Sequence, residues 1–209
     1  MQISNIARIG KLTSSLVSNP SLIYPYVSKS LLNNKLPIDD ALPWWSFQAI
    51  EYADSVFPGK SIFEFGTGGS TLRYAKVCPS ITSVEDNAEW LKIVRNRLEK
   101  NNIGNVKLIY RYFDFVHPKN FSDSAYIRAY DGSKQYDVVI IDGQDQTFRE
   151  RIDCFKYVEP TIKAGGIIVV DDWWRYVELL DSNRAKSVKV FESVGPCRYG
   201  VTSTAFLHY

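Results

Sequence analysis

Short runs of β-branched and aromatic residues alternate with longer helical patterns through the middle of the chain, and this alternation limits the fold more than any other feature. Runs of Ile and Val that are apolar on both faces, with helices between them, are typical of a parallel sheet covered on both sides. The predicted strands span residues 60–65, 80–84, 106–110, 137–141 and 166–170, and the predicted helices span residues 44–57, 70–78, 87–101 and 147–163. The sequence therefore predicts an α/β protein with a doubly wound, Rossmann-like sheet.

The end of the chain departs from this alternation. Two strand-like runs, 187–193 and 201–208, are joined by a turn that contains Gly and Pro. Such a pair is typical of a hairpin. The sheet is therefore predicted to be mostly parallel, with an antiparallel hairpin strand at the C-terminal end.

Residues 1–43 are predicted to form a helical N-terminal extension, and residues 44–209 a single α/β domain. The helical pieces of the extension are expected to be interrupted at Pro20, Pro25 and Pro37. Apolar residues recur in it at a partial helical spacing, at Ile3, Ile6, Ile9, Leu12 and Leu16. Such a stripe suits a cap over the site, a homodimer contact, a weak association with a membrane surface, or packing onto the chain's own core.

The charge balance argues against a protein dedicated to nucleic acid. The 209 residues include 25 Lys and Arg and 23 Asp and Glu, for a net charge of +2, whereas such a protein normally has a one-sided basic surface. Three cysteines without a CxxC pair indicate neither a disulfide framework nor a zinc cluster, which favours a reducing, cytoplasmic location. No apolar run reaches the roughly 18 residues of a transmembrane segment. The predicted partner is a small-molecule substrate.

A glycine-rich loop follows the first predicted strand, in the sequence FEFGTGGST of residues 63–71. Glycines at this place let the backbone turn sharply and approach a ligand closely. Thr71 stands where a dinucleotide-binding loop would have its third glycine, and the chain has no P-loop pattern. Glu64, two residues before Gly66, would repel a phosphate group. The loop is therefore predicted to bind a ligand that carries positive charge.

This strand end resembles the first motif of class I S-adenosylmethionine-dependent methyltransferases, whose cofactor has an ammonium and a sulfonium group and no phosphate. Glu85 ends the second strand, where an acid can accept hydrogen bonds from ribose hydroxyls. The phrases VVIIDG and KAGGIIVVDDWW likewise resemble the family's fourth and fifth strands, and the likeness covers residues 44–208. The resemblance implies cofactor contacts at Glu64, Gly66, Thr67, Gly68, Ser70, Glu85, Asp86, Asp114 and Asp142.

Several of these residues also have a purely structural explanation. An Asp directly after a strand, as at Asp142 and Asp172, is more often a helix N-cap. Ser70 and Thr71 would cap the helix that follows the loop. Asp114 lies in a long loop, where it would either recognise the adenine amino group or have no ligand role.

A smaller group within this family has a metal at the site. Asp142, Asp171 and Asp172 follow two adjacent strands, and three converging carboxylates repel one another unless a cation joins them. The pattern resembles the cation-dependent O-methyltransferases related to the catechol and caffeoyl-CoA enzymes, which implies that these three aspartates are catalytic and hold Mg²⁺. The chain departs from that group twice, since Asp172 replaces its Asn and Asp145 replaces its Lys.

The resemblance implies methyl transfer from S-adenosylmethionine to a hydroxyl oxygen of a small-molecule acceptor, with metal assistance. Trp173 and Trp174 directly follow the aspartate pair and are predicted to contact the acceptor. The alternative is a catalytically inactive methyltransferase-like binding module or partner subunit. The missing lysine and the lack of an obvious general base keep this alternative open.

Overall fold

A computed structural model describes residues 5–32, 35–117 and 119–209, and within these ranges the core is one twisted sheet of seven strands. The strands are β1 (Ser61–Phe65), β2 (Ser80–Glu85), β3 (Val106–Tyr110), β4 (Val138–Ile141), β5 (Ile167–Asp171), β6 (Ser187–Val194) and β7 (Val201–His208). Their order is β3-β2-β1-β4-β5-β7-β6. The first five are parallel, while β7 runs antiparallel to both β5 and β6. The predicted doubly wound sheet and its terminal hairpin are confirmed.

Alternate side chains of the central strands enter two separate hydrophobic clusters, one on each face of the sheet. Val138 and Ile140 of β4 belong to one cluster, and Val139 and Ile141 belong to the other. The strand is buried along its whole length because helices cover both faces. This explains why its sequence is continuously apolar rather than alternating.

Helices in the described residues include α1 (Asn5–Ser18), α2 (Ile23–Tyr26), α3 (Phe47–Val56), α4 (Gly69–Tyr74), α5 (Ala88–Lys100) and α6 (Glu150–Val158). None of the helices described in residues 5–32, 35–117 and 119–209 is long and apolar enough to cross a membrane. The Asn87 side chain accepts the Trp90 N–H at 3.0 Å and caps α5, as predicted.

Three helices are shorter than the sequence predicted. Ser46 accepts the Ala49 N–H at 3.2 Å, so α3 begins at residue 47 rather than 44. The helix α6 begins only at residue 150, because Phe148 has a φ of +63° that no helix contains. A 3₁₀ turn that contains Pro160 follows it, and α4 ends at residue 74 in a tight turn.

The N-terminal segment packs against the terminal hairpin. Leu12 and Leu16 of α1 contact a cluster that contains Tyr26 and Val194, which is the packing onto the chain's own core that the apolar stripe allowed. Ile9 is 63% exposed, while Ile3 and the side chain of Ile6 lie outside the described residues. The prediction that Pro25 interrupts a helix is wrong. Pro25 lies in the first turn of α2, where its missing N–H costs no helical hydrogen bond.

Candidate cofactor and acceptor site

The loop after β1 lies directly against the loop after β4. Gly66 has a φ of +85°, and a Cβ atom placed on it would lie 2.6 Å from the Cα atom of Gly143 and 2.7 Å from the carbonyl oxygen of Asp142. Only glycine meets both the backbone and the space requirement. The two strand ends can therefore meet at one point on the carboxyl edge of the sheet, where ligands bind in doubly wound folds.

Glu64 is fully buried beneath the glycine-rich loop and organises it. The hydroxyl of Ser70 donates to one carboxylate oxygen, and the hydroxyl of Thr71 donates to the other at 2.5 Å. Burial raises the pKa of Glu64 to about 7, although these two hydrogen bonds act in the opposite direction. Its carboxylate therefore fastens the first turn of α4 to β1.

Glu85 joins the same loop to the end of β2. The N–H of Thr67 donates to one carboxylate oxygen at 3.0 Å, and the N–H groups of Asp86 and Asn87 donate to the other at 3.2 and 3.0 Å. Burial raises the pKa of Glu85 to about 7. The indole of Trp90 donates to the carbonyl of Thr67 at 2.6 Å and so ties the loop to α5.

Two cavities adjoin at this edge of the sheet and share part of their walls, including Trp44, Thr67, Asp142 and Gln144. The first, here called the Glu85 cavity, has a volume of about 640 Å³ and is further lined by Asp86 and Asp114. The second, here called the Arg175 cavity, has a volume of about 510 Å³ and is further lined by Asp145, Arg151, Asp172, Arg175 and Arg198.

The residues predicted to contact a cofactor cluster around these two cavities. Gly66, Thr67 and Asp142 line both, and Gly68 and Ser70 line the Arg175 cavity. Glu85, Asp86 and Asp114 line the Glu85 cavity. Of the nine, Glu64 alone lines neither. The Asp114 carboxylate is exposed and pairs with His117 at 3.0 Å, which lowers its pKa.

Asp142 lies where the two cavities meet, and its carboxylate has two partners. The guanidinium of Arg151 lies 3.2 Å from one oxygen, and the indole of Trp45 donates to the other at 3.0 Å. Burial raises the pKa of Asp142, although Arg151 opposes this shift. Arg151 also donates to the carbonyl oxygens of Gly143 at 2.9 Å and Asp171 at 3.0 Å. This arginine therefore holds the ends of β4 and β5 together.

Asp171 and Asp172 differ in their surroundings. Asp171 is 1% exposed, accepts the Thr204 hydroxyl at 2.7 Å and lines neither cavity; burial raises its pKa well above the usual range. Asp172 has a φ of +52° and lies 3.1 Å from Arg198 and 3.9 Å from Arg175. Burial raises the pKa of Asp172, but these cations outweigh it and hold the pKa below its usual value.

This arrangement does not fit the predicted Mg²⁺ site. Within residues 5–32, 35–117 and 119–209, no group of three or more His, Cys, Asp or Glu side chains is arranged to hold a metal ion. Arg151 neutralises Asp142, while Arg198 neutralises Asp172 and lies 3.5 Å from Asp171. A divalent cation would be repelled by these guanidinium groups. In this arrangement arginines, rather than a metal ion, lie beside the three carboxylates.

No pattern in the sequence indicated that three arginines belong to the candidate site. Arg151 comes from α6, Arg175 from the turn after β5 and Arg198 from the β6–β7 turn. Single arginines far apart in a chain form no motif, although Arg175 directly follows the Asp-Asp-Trp-Trp run that the sequence did single out. Neither histidine lines the two cavities: His117 pairs with Asp114, and His208 contacts the Tyr52 hydroxyl at 3.1 Å.

The two tryptophans after the aspartate pair have separate roles. Trp173 is buried in the core at 3% exposure, so it is not available to an acceptor. Trp174 is 52% exposed, and the Arg175 guanidinium lies 4.8 Å from its ring centre. The prediction that both contact the acceptor is wrong for Trp173, because its side chain turns into the apolar cluster beneath the sheet.

The segment before α3 closes one side of the site. A Cβ atom placed on Gly69 would overlap the carbonyl oxygen of Leu42, so the glycine-rich loop and this segment are in direct backbone contact. Ile38, Pro43 and Trp44 of the same segment line the Arg175 cavity. The walls of the Arg175 cavity therefore come from the loops of the sheet and from the segment before α3.

Comparison with known proteins gives one distant sequence relative and many structural neighbours. No family model matches the chain. A protein from Methanobrevibacter smithii, described as the probable cobalt-precorrin-6B C(15)-methyltransferase (decarboxylating), is 27% identical over 124 residues. This match spans 58% of the chain and 58% of that relative, so the chain spans little more than half the length of the relative.

Two solved structures share the fold over nearly the whole chain. The O-methyltransferase from Bacillus cereus, in complex with S-adenosylhomocysteine, is 16% identical with a TM-score of 0.59, over 90% of this chain and 96% of that one. The O-methyltransferase TomG from Streptomyces achromogenes, in complex with S-adenosylmethionine, is 14% identical with a TM-score of 0.58, over 98% and 99%. The chain therefore has the fold of the class I S-adenosylmethionine-dependent methyltransferases, the family that its motifs resemble.

Proposed function

We propose that the protein transfers a methyl group from S-adenosylmethionine to a hydroxyl oxygen of a small-molecule acceptor. The observation that carries this proposal is the pair of adjoining cavities that meet at Asp142, one with a buried carboxylate at Glu85 and one lined by charged side chains. A transferase needs two such compartments, because it must hold two reactants side by side.

All three cysteines are free, in keeping with a reducing compartment such as the cytoplasm.

The residues around the Glu85 cavity suit S-adenosylmethionine. The carboxylate of Glu85 is held by three backbone N–H groups and keeps acceptor capacity for ribose hydroxyls. A Cβ atom on Gly68, which lines the adjoining Arg175 cavity, would meet nothing within 4 Å, so the glycine-rich loop leaves open space on that side of the junction. Asp114 lines the same cavity, and we assign it to the adenine amino group. When bound, the cofactor supplies a methyl group on a positively charged sulfur.

Asp142 is the residue that we assign to the acceptor's proton. It lies at the junction of the two cavities, and burial raises its pKa, which makes its carboxylate a better proton acceptor than an exposed one. Arg151 and Trp45 fix its position. Asp172 orients Arg198 and Arg175, and Asp171 acts only through its contacts to β7 and Arg198.

Cofactor binding is tested by calorimetric titration with S-adenosylhomocysteine. We expect micromolar binding to the wild-type protein, unchanged by Mg²⁺, and affinity at least about tenfold weaker in Glu85→Gln. Glu89→Gln is the matched control, since Glu89 is an exposed residue of the next helix. Absence of binding to the wild-type protein would refute the proposal.

Turnover is tested by following S-adenosylhomocysteine release with a panel of hydroxylated small molecules. Asp142→Asn should bind S-adenosylhomocysteine like the wild-type protein while losing about 100-fold or more of its turnover. Tight cofactor binding without turnover on any member of a broad panel would instead favour the non-catalytic binding module.

A further inference from the structure

The guanidinium of Arg175 lines the Arg175 cavity, and its protein partners neutralise its charge only in part. We propose that the acceptor carries an anionic oxygen group, a carboxylate or a phosphate, and that Arg175 binds this group with the help of Arg198. The inference rests on the proposed function, because it names the class of molecule that the second cavity takes.

Arg175 is poorly satisfied for a residue that is largely covered. The nearest carboxylate with which it pairs is that of Asp172, at 3.9 Å, and its side chain is 27% exposed. Its Nε atom is buried without a hydrogen-bond partner. Buried guanidinium nitrogens nearly always have acceptors, so an acceptor supplied by a ligand would complete the set.

Asp172 is shared by the two arginines, and its carboxylate lies closer to Arg198 than to Arg175. Arg198 lies 3.1 Å from Asp172 and 3.5 Å from Asp171, yet its Nε atom is also buried without a partner. Each of these two arginines therefore has an unused donor. Arginine offers its donors as a planar fork that matches the two oxygens of a carboxylate or phosphate.

The remaining carboxylates of the cavity do not exclude an anion. Asp142 is paired with Arg151. Asp145 accepts the Tyr176 hydroxyl at 2.5 Å and the Phe148 N–H at 2.7 Å. Burial raises the pKa of Asp145, which reduces the negative charge that the cavity presents.

Two aromatic side chains lie beside the Arg175 guanidinium. The Arg175 guanidinium lies 5.0 Å from the ring centre of Phe148 and 4.8 Å from that of Trp174. Phe148, Trp174 and Trp44 are each about half exposed. Phe148 has a left-handed φ of +63°, a strained conformation that persists only where surrounding contacts enforce it. Trp44 lines the cavity, and Phe148 and Trp174 place exposed apolar rings next to the Arg175 guanidinium, which suits a planar acceptor that bears the anionic group.

The test compares anionic and neutral probes of one shape on the protein saturated with S-adenosylhomocysteine. Salicylate and its neutral analogue salicylamide are titrated calorimetrically, and phenyl phosphate serves to distinguish a phosphate group from a carboxylate. We expect one of the two anions to bind about tenfold or more tightly than salicylamide. Arg175→Gln should remove this preference, and Arg175→Lys should restore part of it because the charge returns.

Arg128→Gln is the matched control, since Arg128 is exposed, pairs with Asp123 and lines neither cavity. It should keep the wild-type preference. Equal binding of salicylate and salicylamide, failure of both anions to bind, or a preference that survives in Arg175→Gln would each overturn the proposal. The titration is repeated without S-adenosylhomocysteine. If the protein binds the anion but not S-adenosylhomocysteine, the anion site exists and the proposed methyl transfer fails.

Discussion

The guanidinium of Arg151 lies 3.2 Å from the carboxylate of Asp142, and the side chains of both residues are largely buried. The same guanidinium donates to the carbonyl oxygens after β4 and at the end of β5. One side chain from α6 thereby holds the junction of the two cavities in place. Stability and the geometry of the site depend on the same residue.

Replacement of Arg151 by Gln is expected to destabilise the protein by about 3 kcal/mol, because it leaves the buried Asp142 carboxylate without its cation. The pKa of Asp142 should rise further in this variant. The free energy of unfolding in urea is the measurement. Arg149→Gln is the control, since Arg149 is exposed and pairs with the exposed Glu178; its cost should stay below about 1 kcal/mol. Equal losses in the two variants would contradict the assigned role of Arg151.

Gly66→Ala is expected to lower the free energy of unfolding by about 2 kcal/mol or more, since the new methyl group meets both a left-handed φ and the backbone of Gly143. The affinity for S-adenosylhomocysteine should fall as well, because the loop must move. Gly104→Ala provides the comparison, as a Cβ atom there meets nothing within 4 Å. A Gly66→Ala protein as stable as Gly104→Ala would show that the two loops are not in contact.

Because Glu64 is buried, its contribution to the free energy of unfolding should decrease as the pH rises, which is the opposite of the usual effect of a carboxylate. Its pKa rises from 4.5 to about 7 on folding, so between these values the folded state holds a proton that the unfolded state has released. Stability from this group is therefore complete below the unfolded pKa and is lost as the pH rises through 7. From about pH 5 to about pH 8 the wild-type protein should lose on the order of 3 kcal/mol relative to Glu64→Gln. Urea unfolding across this range tests it, and parallel pH profiles would rule it out.

Cofactor affinity should change with pH through Glu85. Burial raises the pKa of Glu85 to about 7, and the neighbouring Asp86 pKa is raised as well. Ribose hydroxyls donate to the ionised carboxylate, so S-adenosylhomocysteine should bind more weakly as the pH falls, by up to about tenfold per unit below the pKa. Calorimetric Kd values from about pH 6 to about pH 8 should vary in the wild-type protein and stay nearly flat in Glu85→Gln. A wild-type Kd that does not vary with pH would remove Glu85 from the ribose contact.

Local patterns determined most of the fold, and this is why the sequence predicted it well. The strand β3 begins and ends at the predicted residues, and Asn87 caps α5 as expected, because the relevant contacts lie within a few residues. The start of α6 could not be predicted in this way. The left-handed Phe148 that delays it stacks on Arg175, a residue from the next strand end.

The candidate site was predictable only where it consists of consecutive residues. The glycine-rich loop and Glu85 belong to short motifs at strand ends, and the structure places both at a cavity. The partners of the three aspartates include Arg151 from α6 and Arg198 from the terminal hairpin, and Arg198 is more than 25 residues from Asp172. Several carboxylates at neighbouring strand ends indicate that a positive charge is needed beside them. The sequence does not show whether a metal ion or an arginine supplies that charge.

The contact between Leu42 and Gly69 has a consequence for how proteins of this kind diverge. The segment that includes Ile38 and Trp44 lines the Arg175 cavity and pairs with no strand of the sheet. Substitutions there can alter which molecules enter the cavity while the strand order and the glycine-rich loop stay as they are. Selection for a new ligand of this cavity would then act first on a stretch of chain that precedes the sheet, and homologues with the same sheet would be expected to differ most in these residues.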